Sequence, residues 1–232
     1  MIQATTQFDE ITVFGARGHS LVILQAMEEH WQGRVKIHAL IDDIEHGFRH
    51  PALDIPVISS GERRAMFGDV PVLVTPGSGN LRARMAAQLA SEGAMLATAT
   101  CFGMGHVDPG AEYGAGSLCV PHLRISPNVR IGAMAQILGA VLGHDVEIGA
   151  NTSVGFGATV LGHVKIGANV VIAPGAILMN GTRARPLSIG DGAVIGIGAA
   201  VMRDVAPGAR MVGNPAIPLR DWVRLQRLLK TR

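Results

Sequence analysis

From residue 107 onward an apolar side chain returns at every sixth position, and no other feature of this sequence restricts its fold so tightly. Val107, Tyr113, Cys119, Ile125, Ile131 and Ile137 form one run; Ile148, Val154, Val160, Ile166, Ile172 and Leu178 form a second. Ile189, Ile195 and Val201 continue the count. Gly follows the apolar position at Ile131, Ile148, Val154, Ile166, Ile189 and Ile195, and Ala135, Ala158, Ala176, Ala193 and Ala199 stand four places after it. Six residues are too few for a helix pair and enough for a short strand plus a turn. Three such units close one coil, and coils stack about 4.8 Å apart through backbone hydrogen bonds. Because a repeat outranks local propensity, the expected fold here is a parallel β-helix of triangular cross-section with about five coils. Composition agrees, since 48% of residues are hydrophobic but only 4% aromatic, so small and branched aliphatics must fill the core.

The first hundred residues follow a different pattern. "EITVFGA", "VKIHALIDD", "VPVLVTPG" and "AMLATAT" read as buried strands. "GHSLVILQAMEEHWQG", closing on Gly33, and "NLRARMAAQLASEG", opening on Asn80 and stopping at Gly93, carry helical apolar spacing. Strands alternating with helices imply a small doubly wound parallel sheet with right-handed crossovers. The expected division is an α/β lobe over residues 1–101, a β-helix over 102–216 and a helical tail over 217–232. In that tail Leu219, Trp222, Val223, Leu225 and Leu229 lie on helical spacing, as in an amphipathic lid on the end of the solenoid.

Twenty basic and 18 acidic residues are scattered along the chain for a net charge of +2, which leaves no footprint for nucleic acid. Cys101 and Cys119 fall in no metal spacing and read as buried free thiols in a reducing compartment. The N-terminus "MIQATTQFDEITVFGARGHS" has no basic segment before a long apolar core, and no segment reaches the roughly 20 apolar residues of a membrane span. The expectation is a cytoplasmic protein with no membrane partner.

Two steps in the apolar count are eleven rather than twelve, Ile137 to Ile148 and Leu178 to Ile189. The first contains "LGAVLGHDVE" and the second "MNGTRARPLS". A slip kept in a regular solenoid needs a reason, and the first holds His144 beside Asp145. A neutral imidazole takes a proton near pH 7, and a carboxylate on its other nitrogen sets the tautomer. The bland alternative is a corner histidine whose ring caps a turn beside a solvated aspartate. His163 lies near the same edge one coil on and reads as a stacking neighbour; His106 and His122 receive no role.

The hexapeptide solenoid, the "HD" at a coil corner, the closing "IGIGAAVMRDVAPGARMVGNPAIPLR", and the opening "VFGARGHS" with "LIDD" together resemble one family. It is that of the bacterial sugar acetyltransferases that modify sialic acid, bacillosamine, perosamine and related amino sugars. The likeness runs over nearly the whole chain. It implies a left-handed β-helix homotrimer that uses acetyl-CoA to acetylate a nucleotide-linked amino sugar or a free sugar. His144 would be the general base and Asp145 its helper.

"GARGH" lacks the G-x-G-x-x-G of a dinucleotide loop, so an NAD site is a weak reading. Gly15 and Gly18 still allow a ligand to approach the backbone, and a helix start near Gly18 offers N–H groups to a phosphate. By the resemblance, the nucleotide-sugar falls to Arg17, Gly18, His19, Asp42, Asp43 and Gly77; a solvated strand end is the plain reading of Asp42 and Asp43. Acetyl-CoA would lie in a groove between solenoids, near Ser153, Pro174, Gly196 and Ile197, with "VGNPA" at its adenosine end.

Three departures stand out. Ser153 occupies a position where many relatives carry a second histidine. Arg17 replaces a usually small residue. The loop "MNGTRARPLS" is longer than the tight turn of the family, and its Arg183 and Arg185 face either CoA phosphates or solvent.

The reaction expected is direct attack of a sugar amine or hydroxyl on the thioester, with no metal and no covalent intermediate. One rival differs in acceptor, an O-acetyltransferase of free sialic acid; another is a catalytically silent sugar-nucleotide scaffold. A metal-dependent β-helix of the carbonic-anhydrase kind needs three histidines across an interface, and the spacing for it is missing.

Overall fold

The computed structural model describes residues 2–100 and 106–230. Cys101 and the expected boundary at 101/102 lie outside the described residues. Cys119 is buried.

The N-terminal lobe is built from β1 (Gln3–Thr5), β2 (Glu10–Phe14), α1 (His19–Trp31), β3 (Lys36–Ile41), β4 (Phe48–Arg49), β5 (Pro56–Ile58), α2 (Ser60–Met66), β6 (Val72–Val74), α3 (Gly79–Ser91) and β7 (Met95–Ala97). They form one sheet of order β1-β7-β6-β2-β3-β5-β4, parallel except for the β4–β5 pair. Alternate residues feed two cores, as the period of a strand requires. Ile11, Val13 and Leu40 pack on Ile23, Met27 and Trp31 of α1. Phe14, Ala39 and Ile41 pack with Ala86 and Leu89 of α3 on the other face. The four strands and two helices expected from sequence are present. The elements not expected are β1, β4, β5 and α2, each seven residues or shorter, too brief to display a period. Ser78 rather than Asn80 caps α3, accepting from Leu81 N at 3.4 Å.

The solenoid is a left-handed parallel β-helix with three faces. Face one stacks Glu112–Tyr113, Arg130–Ile131, Glu147–Ile148, Val164–Ile166 and Leu187–Ile189. Face two runs from Leu118–Val120 through Gln136–Leu138, Ser153–Val154, Val171–Ile172 and Val194–Ile195 to Arg210–Val212. Face three stacks Arg124–Ile125, Val141–Leu142, Thr159–Val160, Ile177–Leu178 and Ala200–Val201. The apolar positions read from sequence point inward as columns; Ile137, Val154, Val160, Leu178, Ile195 and Ala199 are fully buried.

The two eleven-residue steps have opposite origins. Gln136 pairs with Ser153, seventeen positions on, where Ser153 pairs with Val171, eighteen on. One residue is therefore missing, and it is missing between inward Ile137 and inward Leu142, at the corner around Gly139. His144 and Asp145 stand at the next corner, which is regular, so the expectation that the pair occupies the irregular spot is corrected. The second step is an insertion: Val171 pairs with Val194, twenty-three positions on, and residues 179–186 leave the solenoid as a loop.

The lobe sits on the first coils. Leu118, Val120 and Leu138 join the core beneath α1, and Met134 joins the core beneath α3. At the far end Ile217–Pro218 pairs antiparallel with Arg210–Val212, and α4 (Leu219–Lys230) packs against these two strands. Trp222 rests against Gly213, yet Trp222, Val223, Leu225 and Leu228 remain exposed, so the helix covers the solenoid end with only part of its apolar face. The side chain of Leu229 lies outside the described residues.

Candidate active site

The corner that carries His144 joins face three to face one, and successive coils stack Asn128, His144–Asp145 and His163 there. Asp145 has φ 58° and His163 φ 55°, the left-handed region that Asp, Asn and His tolerate better than branched residues. Backbone hydrogen bonds set the stacking: Asp145 N donates to Pro127 O at 3.1 Å, and His163 N to His144 O at 3.0 Å.

His144 Nδ1 lies 2.7 Å from Asp145 Oδ2. An ionised carboxylate only accepts, so Nδ1 carries the proton and Nε2 presents its lone pair. The side chain of His144 is 58% exposed, and Nε2 has no protein partner among the described residues. Asn128 Nδ2 donates to Asp145 Oδ1 at 3.0 Å, and His163 Nδ1 stands 3.7 Å from Oδ2. The hydrogen bond from His144, then that from Asn128, hold the Asp145 carboxyl below the ordinary carboxylate range. The His163 ring meets the His144 ring edge to face, centroids 4.9 Å apart, which is the stacking expected from sequence. Asn128 was missed by sequence reading; its only signal is its place one coil earlier at the same corner.

Ligand atoms of His144, Asp145 and His163 lie within 4.8 Å of one another, a set whose composition suits a divalent cation. In the geometry seen here the Nδ1 proton of His144 occupies the line to Asp145, and a cation there would displace it.

The residues assigned to a nucleotide-sugar gather at the C-terminal ends of β2, β3 and β6. Their chemistry differs from expectation at three points. Arg17 Nε pairs with Asp42 Oδ2 at 3.3 Å and its guanidinium also binds Glu45, so it is not a free cation. Asp43 is committed to α2, accepting from Ser60 N and Ser60 Oγ, both at 2.7 Å. A side chain at Gly15 would fall 2.2 Å from Ser20 Oγ, so that glycine makes room for the Ser20–Thr75 hydrogen bond rather than for a ligand. Gly18 opens α1 without a side-chain cap, with clear space over its Cα. The ring of His19 lies over Gly77, and its Nε2 donates to Gln136 Oε1 at 3.3 Å.

Gln136 and Arg82 join this cluster to the solenoid, and neither was singled out from sequence. Gln136 Nε2 donates to Thr75 O at 3.0 Å. Arg82 is fully buried with no carboxylate partner among the described residues, and it donates to Pro76 O, Gly77 O, Met134 O, Asn151 O and Ser153 Oγ at 2.8–2.9 Å. Burial lowers its pKa to about 10, so it stays charged at neutrality. Ser153, expected beside acetyl-CoA, thus faces the lobe, bound to Arg82 and 3.3 Å from Gly77 O. Pro174, Gly196 and Ile197 lie elsewhere, at the corner between faces two and three, where Gly198 N donates to Pro174 O at 3.1 Å and Ile197 is 81% exposed. One protomer therefore does not bring the expected cofactor residues to His144; face three separates them. His106 only extends the first coil, through its carbonyl to Ile125 N, and His122 meets Glu29 at the surface.

The chain thus combines a left-handed hexapeptide β-helix, an α/β lobe on its first coils and a carboxylate-bound imidazole exposed at a corner. Residues 124–162 and 148–180 match the family model described as bacterial transferase hexapeptide (six repeats). No curated protein matches the chain. Among solved structures it is similar to WeeI from Acinetobacter baumannii AYE, with 26% identity, 90% of this chain and 100% of that chain covered, and TM-score 0.78. The acetyltransferase domain of PglB from Neisseria gonorrhoeae FA1090, in complex with acetyl coenzyme A, gives 24%, 92%, 100% and 0.76. PerB from Caulobacter crescentus, in complex with CoA and GDP-perosamine, gives 24%, 90%, 96% and 0.77. The resemblance read from the sequence holds for the repeat and for the fold over about nine-tenths of the chain. Among the described residues no helix is long and apolar enough to cross a membrane.

Proposed function

We propose that the protein is an acetyl-CoA-dependent sugar acetyltransferase, and that its acceptor is the amine of a nucleotide-linked amino sugar. The observation that carries this is the His144–Asp145 pair, with Nδ1 satisfied at 2.7 Å, the side chain 58% exposed and Nε2 without a hydrogen-bond partner among the described residues. Support comes from the shared fold of the PglB domain and PerB, which bind acetyl-CoA and CoA with GDP-perosamine.

In this reading His144 Nε2 takes a proton from the amine as its nitrogen attacks the thioester carbonyl carbon. The C–N bond forms, the C–S bond breaks, and the imidazolium returns the proton to the departing thiolate. Asp145 holds the ring and stabilises its charged form. General base catalysis of this kind supplies about 10²- to 10⁴-fold, and positioning supplies much of the remainder. Residues 1–101 hold the nucleotide-sugar through Gly18, His19, Asp42 and Gly77, residues 102–216 carry out the transfer, and 217–232 form the tail. The reaction belongs in the cytoplasm, where acetyl-CoA and nucleotide-sugars are made.

Pro174, Gly196 and Ile197 sit across face three from His144, so the acyl donor contacts the corner of one protomer and the histidine of another. That calls for a closed ring of protomers, a homotrimer. O-acetylation of a free sugar uses the same histidine and differs only in the acceptor.

The test is thiol release from acetyl-CoA across a panel of nucleotide amino sugars and free sialic acid, with His144→Ala alongside. A fall of about 10²-fold or more with assembly intact supports the base. Undiminished turnover in that variant, or activity that chelators abolish and zinc restores, would replace this reading with a silent scaffold or a metal centre.

A further inference from the structure

Residues 179–186 leave the solenoid at the same corner as His144 and His163, one coil beyond His163. The root of this loop is tied to that coil. Gly181 N donates to Gly162 O at 3.0 Å, and Leu187 N to His163 O at 3.1 Å. A side chain at Gly181 would fall 2.4 Å from Leu187 N and 2.5 Å from His163 O, so the loop meets the histidine's own backbone at close range. Its tip is closed by mutual backbone bonds between Thr182 and Arg185, at 3.0 and 3.1 Å. The result is a short, internally bonded arm rather than a slack connection.

Its charges have no partners. Arg183 and Arg185 are exposed, as is Arg203 at the same corner of the following coil, and none of the three guanidiniums makes an ion pair or hydrogen bond among the described residues. Nearby, Lys165 on face one is paired with Glu147 at 3.1 Å, and the Asp204 carboxylate, beside Arg203 in sequence, accepts from Ser188 N at 2.9 Å and makes no ion pair among the described residues. The neighbouring positions of face three, Thr159, Ile177 and Ala200, are uncharged. With +2 over the whole chain, three unpaired guanidiniums beside one candidate base are a local concentration of positive charge.

We propose that this arm binds the phosphate groups of a substrate whose reacting end lies at His144, with Arg183 and Arg185 as the recognising residues and Arg203 supporting them. The guanidinium fork matches a phosphate in two parallel bonds, which suits it to reading a phosphate at the edge of a site. The inference rests on the acetyltransferase reading and deepens it. Both substrates of that reaction carry phosphate, the acyl donor on its nucleotide end and the acceptor in its diphosphate, and the arm reads one of them.

The full-length protein and an Arg183→Ala/Arg185→Ala variant are titrated calorimetrically with CoA, with pantetheine, and with GDP and UDP. In the variant, affinity for CoA or for the nucleoside diphosphates falls about tenfold, as expected for two exposed charge-assisted contacts, while pantetheine binding is unchanged. Wild-type binding of the same ligand weakens as salt rises, and Arg203→Ala shows a smaller loss in the same direction. Which ligand weakens identifies the source of the phosphate. Affinities for CoA, GDP and UDP all within twofold of wild type overturn the arm and leave the enzyme reading standing. A wild-type protein that binds none of these ligands overturns both.

Discussion

The Nε2 atom of His144 lies against the backbone of Gly162, where an added methyl group would sit 2.6 Å away. The two residues are stacked at one corner on consecutive coils, and Gly162 does not need a left-handed backbone. It is glycine because of the ring.

Gly162→Ala therefore separates folding from function. The far end of an exposed imidazole can shift, so thermal stability should stay within a few degrees of wild type. The ring leaves its place, and a displacement of about 1 Å is enough to lower turnover on the order of 10²-fold. Unchanged kcat in a folded variant would remove His144 Nε2 from the reaction.

Asp145 sets a pH signature. Its folded carboxyl is held below the ordinary value of 3.8, first by the His144 hydrogen bond and then by Asn128. A depressed acid contributes stability that is complete above its unfolded pKa and is lost as pH falls through the folded one. The stability difference between wild type and Asp145→Asn should shrink as pH falls below about 4, measured by urea unfolding. A difference that still widens below about pH 4 would contradict this charge state.

Arg82 carries the joint between lobe and solenoid. Arg82→Ala leaves the carbonyls of Pro76, Gly77, Met134 and Asn151 without their donor, a loss of about 3 kcal/mol. The loop it holds, through Pro76 O and Gly77 O, carries Gly77, so KM for a nucleotide-sugar should rise more than KM for the acyl donor. An equal rise in both would make Arg82 a general stabiliser of the fold.

Under the proposed function, face three is the surface on which the homotrimer closes. Val141 and Ile177 project from it, 39% and 43% exposed, and Phe156 and Ile197 line its edge. Ile177→Asp should yield monomers in sedimentation and abolish activity without unfolding the coil. Active monomers would place the whole site within one chain.

Much of this molecule is legible in its sequence because a solenoid is local. Each coil contacts only its neighbours, so a six-residue rhythm maps directly onto inward columns such as Ile148, Val154 and Val160. The lobe's longer strands and two long helices were equally readable. Brief elements such as α2, and the commitment of Asp43 to its first turn, left no periodic trace.

By itself, the order of residues determined the β-helix, the α/β lobe before it and the exposed His144–Asp145 neighbours, since periodicity and adjacency are properties of the chain alone. Tertiary structure decided the rest. Whether an eleven-residue step is a deletion at Gly139 or an inserted arm at 179–186 depends on which strands pair. The contacts of Asn128 and His163 with Asp145, and of Arg82 with Ser153, join residues from different coils or lobes. Stacking register and lobe docking create those contacts, and neither is encoded at a fixed spacing along the chain.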